Sequence, residues 1–241
     1  MTYCVGLLLN QGMVCLSDTR TNAGLDNIST YKKMFVFGTP GERVIAIMTA
    51  GSLSVTQTTL ARLDEAASDP EATEETSILL ATTMLQVARI IGRTLSETSQ
   101  EVASRMSGSK SAASASMIVA GQRKGGDQRM FLIYPEGNFI EATSDTPYLQ
   151  IGEHKYGKPI LDRVVTPETS LQDAKKAVLL SMDSTIRSNL SVGMPLDLAV
   201  IEKDALQVTR SRRIEADDEI FAEMSRSWSI ALKDAFLGIE V

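Results

Sequence analysis

The chain has 241 residues, 43% of them hydrophobic and 22% charged, so it can bury a core and lies outside the compositions typical of disordered or fibrous proteins. Its formal net charge of -6 gives no general attraction to nucleic acid or to an anionic membrane surface. Two cysteines (Cys4, Cys15) and one histidine (His154) cannot build a four-ligand zinc site without carboxylates at recognisable spacing, so no metal or cofactor is expected.

Residues 3–9 and 13–17 are short apolar runs around Asn10-Gln11-Gly12, the pattern of a hairpin whose strands are covered on both faces. If Leu9 pairs with Gly12 or Met13, Thr2 falls opposite Thr19 or Arg20, and Asp18 becomes its near neighbour. A second hairpin is expected over residues 33–37 and 43–48. After Gly51 the periodicity turns helical through Leu53, Leu60 and Leu63, stopping near Asp69-Pro70, and a longer helix is expected over about 74–105. Residues 108–115 read as the turn into a third hairpin, 116–121 with 129–134, followed by a strand at 139–142. Helices are expected over 156–165 and 171–188, the second capped by Thr169 or Ser170, then strands at 196–202 and 205–210, then a helix over 217–235. Its stripe of Phe221, Met224, Trp228 and Leu232 suits a core face or a subunit contact equally. The basic run Arg210-Ser211-Arg212-Arg213, followed at once by acidic residues, reads as a solvated strand end or subunit contact rather than a polyanion site.

Blocks of strands alternating with pairs of helices fit an α+β fold of two stacked antiparallel sheets with helices outside each, in one domain spanning 1–241. The apolar start, residues 4–9, is too short to cross a membrane, and no signal peptide precedes it, so the cytoplasm is the expected compartment.

With a single histidine, a Ser-His-Asp triad is a poor fit, but an N-terminal threonine carries its own base. Its hydroxyl attacks, and its free α-amine, with an unperturbed pKa of roughly 7.7 to 8.0, takes the proton. Thr2 becomes such a residue once Met1 is trimmed. A lysine beside the amine holds it neutral, and a carboxylate holds that lysine charged and oriented; Lys33 and Asp18 fill these roles if the two hairpins pack together. Gly51, between a strand and a helix start, can offer a backbone N–H to an oxyanion. Taken singly, each has a simpler reading: a frayed terminus, a solvent-facing lysine, a turn-forming aspartate and a plain strand-to-helix turn.

Together the pieces are more specific. Thr2 before Val5-Gly6, then Ser17-Asp18-Thr19-Arg20, Lys32-Lys33-Met34-Phe35, Thr49-Ala50-Gly51, the Ile151-Gly152 turn and Ser191-Val192-Gly193-Met194 resemble the proteasome β-subunit family of N-terminal-nucleophile hydrolases over nearly the whole chain. The wording from Ser17 to Gly24, with no propeptide beyond Met1, is most like an ancestral bacterial branch of that family. The resemblance implies a four-layer αββα sandwich, a threonine peptidase acting on peptides or unfolded protein, and self-assembly into a ring or helical homo-oligomer. It implies Thr2 as nucleophile, Lys33 and Asp18 tuning its amine, Arg20 supporting the loop, Gly51 as oxyanion donor and Ser191 as an accessory catalytic group. Thr21, Thr49 and Leu53 would lie at the substrate side-chain pocket. The family's accessory serine after Gly152 is Glu153 here, and its accessory aspartate is Ser188. Those departures keep open a scaffold or binding module of the same fold, and a small-molecule amidase shares the same site.

Overall fold

A computed structural model describes residues 1–22, 28–106 and 113–240. Most of the expected 108–115 turn lies outside the described residues. The strands are β1 (Tyr3–Leu9), β2 (Gly12–Asp18), β3 (Arg20–Asn22), β4 (Ile28–Thr30), β5 (Met34–Thr39), β6 (Arg43–Gly51), β7 (Ala115–Arg123), β8 (Arg129–Ile133), β9 (Phe139–Glu141), β10 (Tyr148–Gly152), β11 (Leu196–Glu202) and β12 (Arg210–Ile214). The helices are α1 (Leu53–Ser68), α2 (Met84–Arg105), α3 (Lys158–Val164), α4 (Leu171–Ser188) and α5 (Glu219–Leu237).

Two five-stranded antiparallel sheets carry the fold, in the orders β10-β1-β2-β11-β12 and β5-β6-β7-β8-β9. Between them lies a core of small and flexible side chains, including Cys4, Met13, Cys15, Met48, Ala120 and Met130. Outside the first sheet, β1, β2 and β11 pack Val5, Leu7, Leu16 and Leu198 against Leu161 of α3 and Val178 and Met182 of α4. Outside the second, Ile45, Ile47, Val119 and Phe131 meet Leu63 of α1 and Ile91 and Leu95 of α2. The result is the αββα sandwich that block alternation implies, because each sheet is apolar on both faces and must be covered twice.

The first hairpin has the expected register: Leu9 pairs with Gly12 and Cys4 with Ser17. Asp18 therefore ends β2 beside the chain start, and β11 brackets it from the other side through the Leu196 to Asp18 pair.

Several expectations need correction. The long helix begins at Met84, ten residues later than the expected start near residue 74. Upstream, the Thr73 and Thr76 hydroxyls and the Ser77 hydroxyl accept backbone N–H groups and hold local turns. Thr83 then caps the helix by accepting from the Gln86 N–H at 3.1 Å. The strand expected at 205–210 lies at Arg210–Ile214, since Asp204 and Leu206 take positive φ (64° and 53°) and prolong the turn. The last helix runs two residues later at each end than expected; of the two caps expected for α4, Ser170 is the one that caps it. The short strands β3 and β4 and the edge strand β10 have no counterpart in the sequence reading.

Candidate active site

Asp18 is fully buried and Lys33 is 5% exposed, yet their side chains meet at 2.8 Å. Of the paired lysines only Lys33 turns inward; Lys32 stays outside, 5.5 Å over the Phe35 ring. The Thr49 N–H donates to the Lys33 carbonyl at 2.9 Å, which fixes the lysine backbone beside β6. From there the Lys33 ammonium donates to Asp18 Oδ1 at 2.8 Å, the Arg20 carbonyl at 2.5 Å and the Met1 carbonyl at 3.2 Å. All three hydrogens of the ammonium are thereby placed, and the third points at the peptide group that joins Met1 to Thr2.

Asp18 is shared among three donors. Besides Lys33, its Oδ1 accepts from the Tyr3 N–H at 3.0 Å and its Oδ2 from the Gly193 N–H at 3.4 Å. Burial pushes its carboxyl above the usual value, and the Lys33 ammonium and the backbone donors pull it back. A dry carboxylate is tolerable here because each oxygen is paired.

Thr2 is 7% exposed and is pinned through its backbone. Its carbonyl accepts from the Glu153 N–H at 2.7 Å. Gly152, at φ +81°, permits this: a Cβ there would stand 1.9 Å from the Thr2 carbonyl oxygen. Next to it the Tyr3 hydroxyl bridges Ser181 at 2.6 Å and Gln150 at 2.5 Å, and burial pushes that phenol up to about 12. Tyr3 thus ties the start of β1 to α4 and β10 while its N–H orients Asp18. Sequence reasoning included it only as the first residue of the apolar run 3–9; its position next to Thr2 was the available signal.

One cavity of about 320 Å³ gathers Met1, Thr2, Thr21, Lys33, Thr49, Ala50, Gly51, Leu53 and Thr56. Gly51 ends β6 at φ +107°, and a side chain there would run into the Ser114 carbonyl at 2.4 Å. The first turn of α1 follows at once, bringing the positive end of that helix to the cavity wall. Thr56 was not singled out in the sequence, although it stands one helical turn after Leu53 and shares its face.

Arg20 and Ser191 lie outside the cavity wall. The Arg20 guanidinium donates to the Leu190 carbonyl at 3.0 Å and lies over Gly193, which holds the loop after α4 against the end of β2. Ser191 is half-buried, its N–H given to Asn189 Oδ1 at 2.9 Å, and Ser188 is exposed. Among the described residues neither has a hydrogen bond to Thr2. The described residues also contain no cluster of three or more His, Cys, Asp or Glu side chains able to hold a metal ion, and no described helix is long and apolar enough to cross a membrane.

An αββα sandwich with a threonine, an aspartate and a lysine converging at the head of its first strand defines a class, and the chain belongs to the proteasome family: the family model described as proteasome subunit matches residues 2–201. Within that family it is similar to Anbu, the ancestral β-subunit. The Anbu (Gly-1) mutant from Hyphomicrobium sp. strain MC1 is 48% identical with a TM-score of 0.93, covering 100% of this chain and 99% of that one. Anbu from Yersinia bercovieri is 42% identical with a TM-score of 0.91, again over 100% and 99%. The structure described as a helical assembly of the Anbu complex from Pseudomonas aeruginosa is 43% identical with a TM-score of 0.93, over 100% and 98%. A comparison with curated proteins gave no match.

Proposed function

We propose that the chain is a threonine peptidase whose nucleophile is Thr2 once Met1 has been removed, and that it works as a homo-oligomer. The observation that carries this reading is the aim of Lys33: its ammonium sits between Asp18 and the Met1 carbonyl, which belongs to the peptide group whose nitrogen becomes the free amine.

In the mechanism, a substrate carbonyl enters the cavity and the Thr2 hydroxyl attacks it while the Thr2 α-amine takes the proton. Lys33 stays charged, held by Asp18, and its positive field keeps the amine neutral and therefore basic. The Gly51 N–H, backed by α1, receives the oxyanion. The amine's proton passes to the departing nitrogen as the C–N bond breaks, leaving an ester on Thr2. Water, deprotonated by the same amine, then attacks the ester, and the threonine hydroxyl leaves with that proton. Arg20 holds the 190–193 loop that supplies the Gly193 N–H to Asp18, and Ser191 stands in the same loop as an accessory group. Thr21, Thr49 and Leu53 bring no charge to the cavity, whose one cation among the described residues, Lys33, is engaged by Asp18, and this suits a small or medium uncharged substrate side chain.

The test is turnover of short peptides by Met1-free protein. Thr2→Ala should lose turnover while Thr2→Ser keeps part of it; full activity in Thr2→Ala would end the proposal. A second reading, a self-assembling scaffold of the same fold with weak catalysis, is favoured by Ser188 standing exposed where the family has an accessory aspartate. Intact mass separates the two, because a chain that keeps Met1 has its base locked in an amide. An amidase would share the Thr2 chemistry and would reveal itself by hydrolysing small amides while leaving peptides intact.

A further inference from the structure

A cavity of about 730 Å³ lies on the helix-covered face of the first sheet, between α4, the first turns of α5 and the strands β11 and β12. It shares no lining residue with the cavity at Thr2. Its volume falls within the roughly 300–1,000 Å³ of small-molecule sites. Strand register lays the floor: Leu198 pairs with Arg212 and Val200 with Arg210, so the four side chains leave the sheet on one face. Leu198 and Val200 belong to the buried core, while the two arginines, on the last strand of the sheet, stand exposed beside them. The walls are Lys175 and, one helical turn on, Leu179 of α4, with Ile220 and Met224 of α5 opposite.

The charges in this cavity are one-sided. Lys175, Lys176, Arg210 and Arg212 line it and no acidic side chain does, in a chain whose net charge is -6. Asp173 pairs with Lys176 and Asp218 with Arg212. Lys175, which is half-buried, and Arg210 have no ion-pair partner among the described residues. Two free cations over an aliphatic floor call for an anionic head on an apolar body. A nucleotide would offer a phosphate, but no aromatic ring lines the cavity to stack its base. An acidic peptide would bring amide groups that an aliphatic floor leaves without partners. A carboxylate on a plain hydrocarbon chain leaves nothing unpaired.

We infer that this cavity binds a free aliphatic carboxylate of fatty-acid type, its head between Lys175 and Arg210 and its chain on Leu179, Val200, Ile220 and Met224. The head gains charge-assisted hydrogen bonds, and every methylene laid on the floor leaves water. The inference is independent of Thr2 chemistry.

Calorimetric titration of the intact protein with monomeric dodecanoate tests it. Binding should be saturable, and decanoate, two methylenes shorter, should bind roughly 15-fold more weakly. Lys175→Gln combined with Arg210→Gln should weaken dodecanoate binding roughly 10- to 100-fold, as loss of hydrogen bonds to a charged group does. Ile220→Glu sets a carboxylate in the wall at a position 69% exposed, where the fold tolerates charge, and should abolish binding. Lys233→Gln, which removes an exposed cation outside the cavity, should leave the affinity unchanged. Absence of saturable binding would overturn the inference, as would equal affinity in the Lys175→Gln, Arg210→Gln variant. So would uptake of a short peptide of alternating leucine and aspartate, or of anionic phospholipid vesicles, by a protein that ignores dodecanoate.

Discussion

Lys33→Met would leave Asp18 buried without its cation, and breaking such a pair costs about 3 to 5 kcal/mol. The fold should therefore loosen together with the chemistry: thermal melting falls, and peptide turnover drops by roughly 100-fold or more with the loss of amine tuning. The pH profile has a defined sign. Burial sets the Asp18 carboxyl above the value of a free aspartate, so on acidification it gains a proton earlier than an exposed one would, and Lys33 then loses its partner. Activity should accordingly fall on the acid side at a pH above the roughly 3.9 of an unperturbed aspartate. The cysteines should stay silent throughout. Burial pushes Cys15 up to about 12, and burial together with the Asp18 charge pushes Cys4 up as well. At pH 8 a thiol-selective alkylator should therefore label neither in the folded protein and both after denaturation, which mass spectrometry reads directly. At this scale the sequence was most informative where chemistry and spacing coincide: Thr2, Asp18 and Lys33 converge as expected. It was silent on Tyr3, whose contribution depends on a hydroxyl that finds Ser181, 178 residues away.

Gly51 is the element-scale hinge of the site, the residue where β6 stops and α1 begins. Gly51→Ala forces a Cβ toward the Ser114 carbonyl at a φ of +107°. Strain of this kind costs about 1 to 3 kcal/mol, and displacing an oxyanion donor lowers kcat by roughly 100- to 1000-fold. Thr83→Ala, at the start of α2 and away from the cavity, should cost about 0.5 to 2 kcal/mol through loss of its cap and leave kcat unchanged, as denaturant melts and peptide assays would reveal. The contrast separates elements that build the site from those that only cover the sheet. Legibility followed the same physics. The β1–β2 hairpin and α4 were readable because strong periodicity ends at a turn or a capping residue. The start of α2 was not, because the side chains of Thr73, Thr76 and Ser77 divert the backbone into turns despite the apolar run beside them. Strands β3 and β4 have three residues each, too few for any alternation to register. β10 pairs only with β1, so its existence depends on a partner nearly 150 residues distant.

At the scale of the molecule, two sheets covered on both faces make a rigid block, and the site occupies one end where β1, β2, β6 and α1 meet. The four-layer arrangement was legible from the blocking of strands and helices, since double-faced apolar strands admit few other solutions. The outward projection of α5 was not: its apolar stripe suited a core face and a subunit contact equally, and the structure leaves residues 232 to 240 exposed. Assembly should be concentration-dependent, and replacing Phe236 and Leu237 with serine should shift light-scattering mass toward smaller species without lowering the melting temperature of the fold. The central claim concerns Thr2 with a free amine, and an electrophile tests it most directly. A peptide epoxyketone closes a ring only on a hydroxyl with a neighbouring free amine. Intact mass and fragment mapping after treatment should give a chain lacking Met1 with one adduct on Thr2. A chain that keeps Met1, remains unmodified or carries the adduct elsewhere would contradict the account.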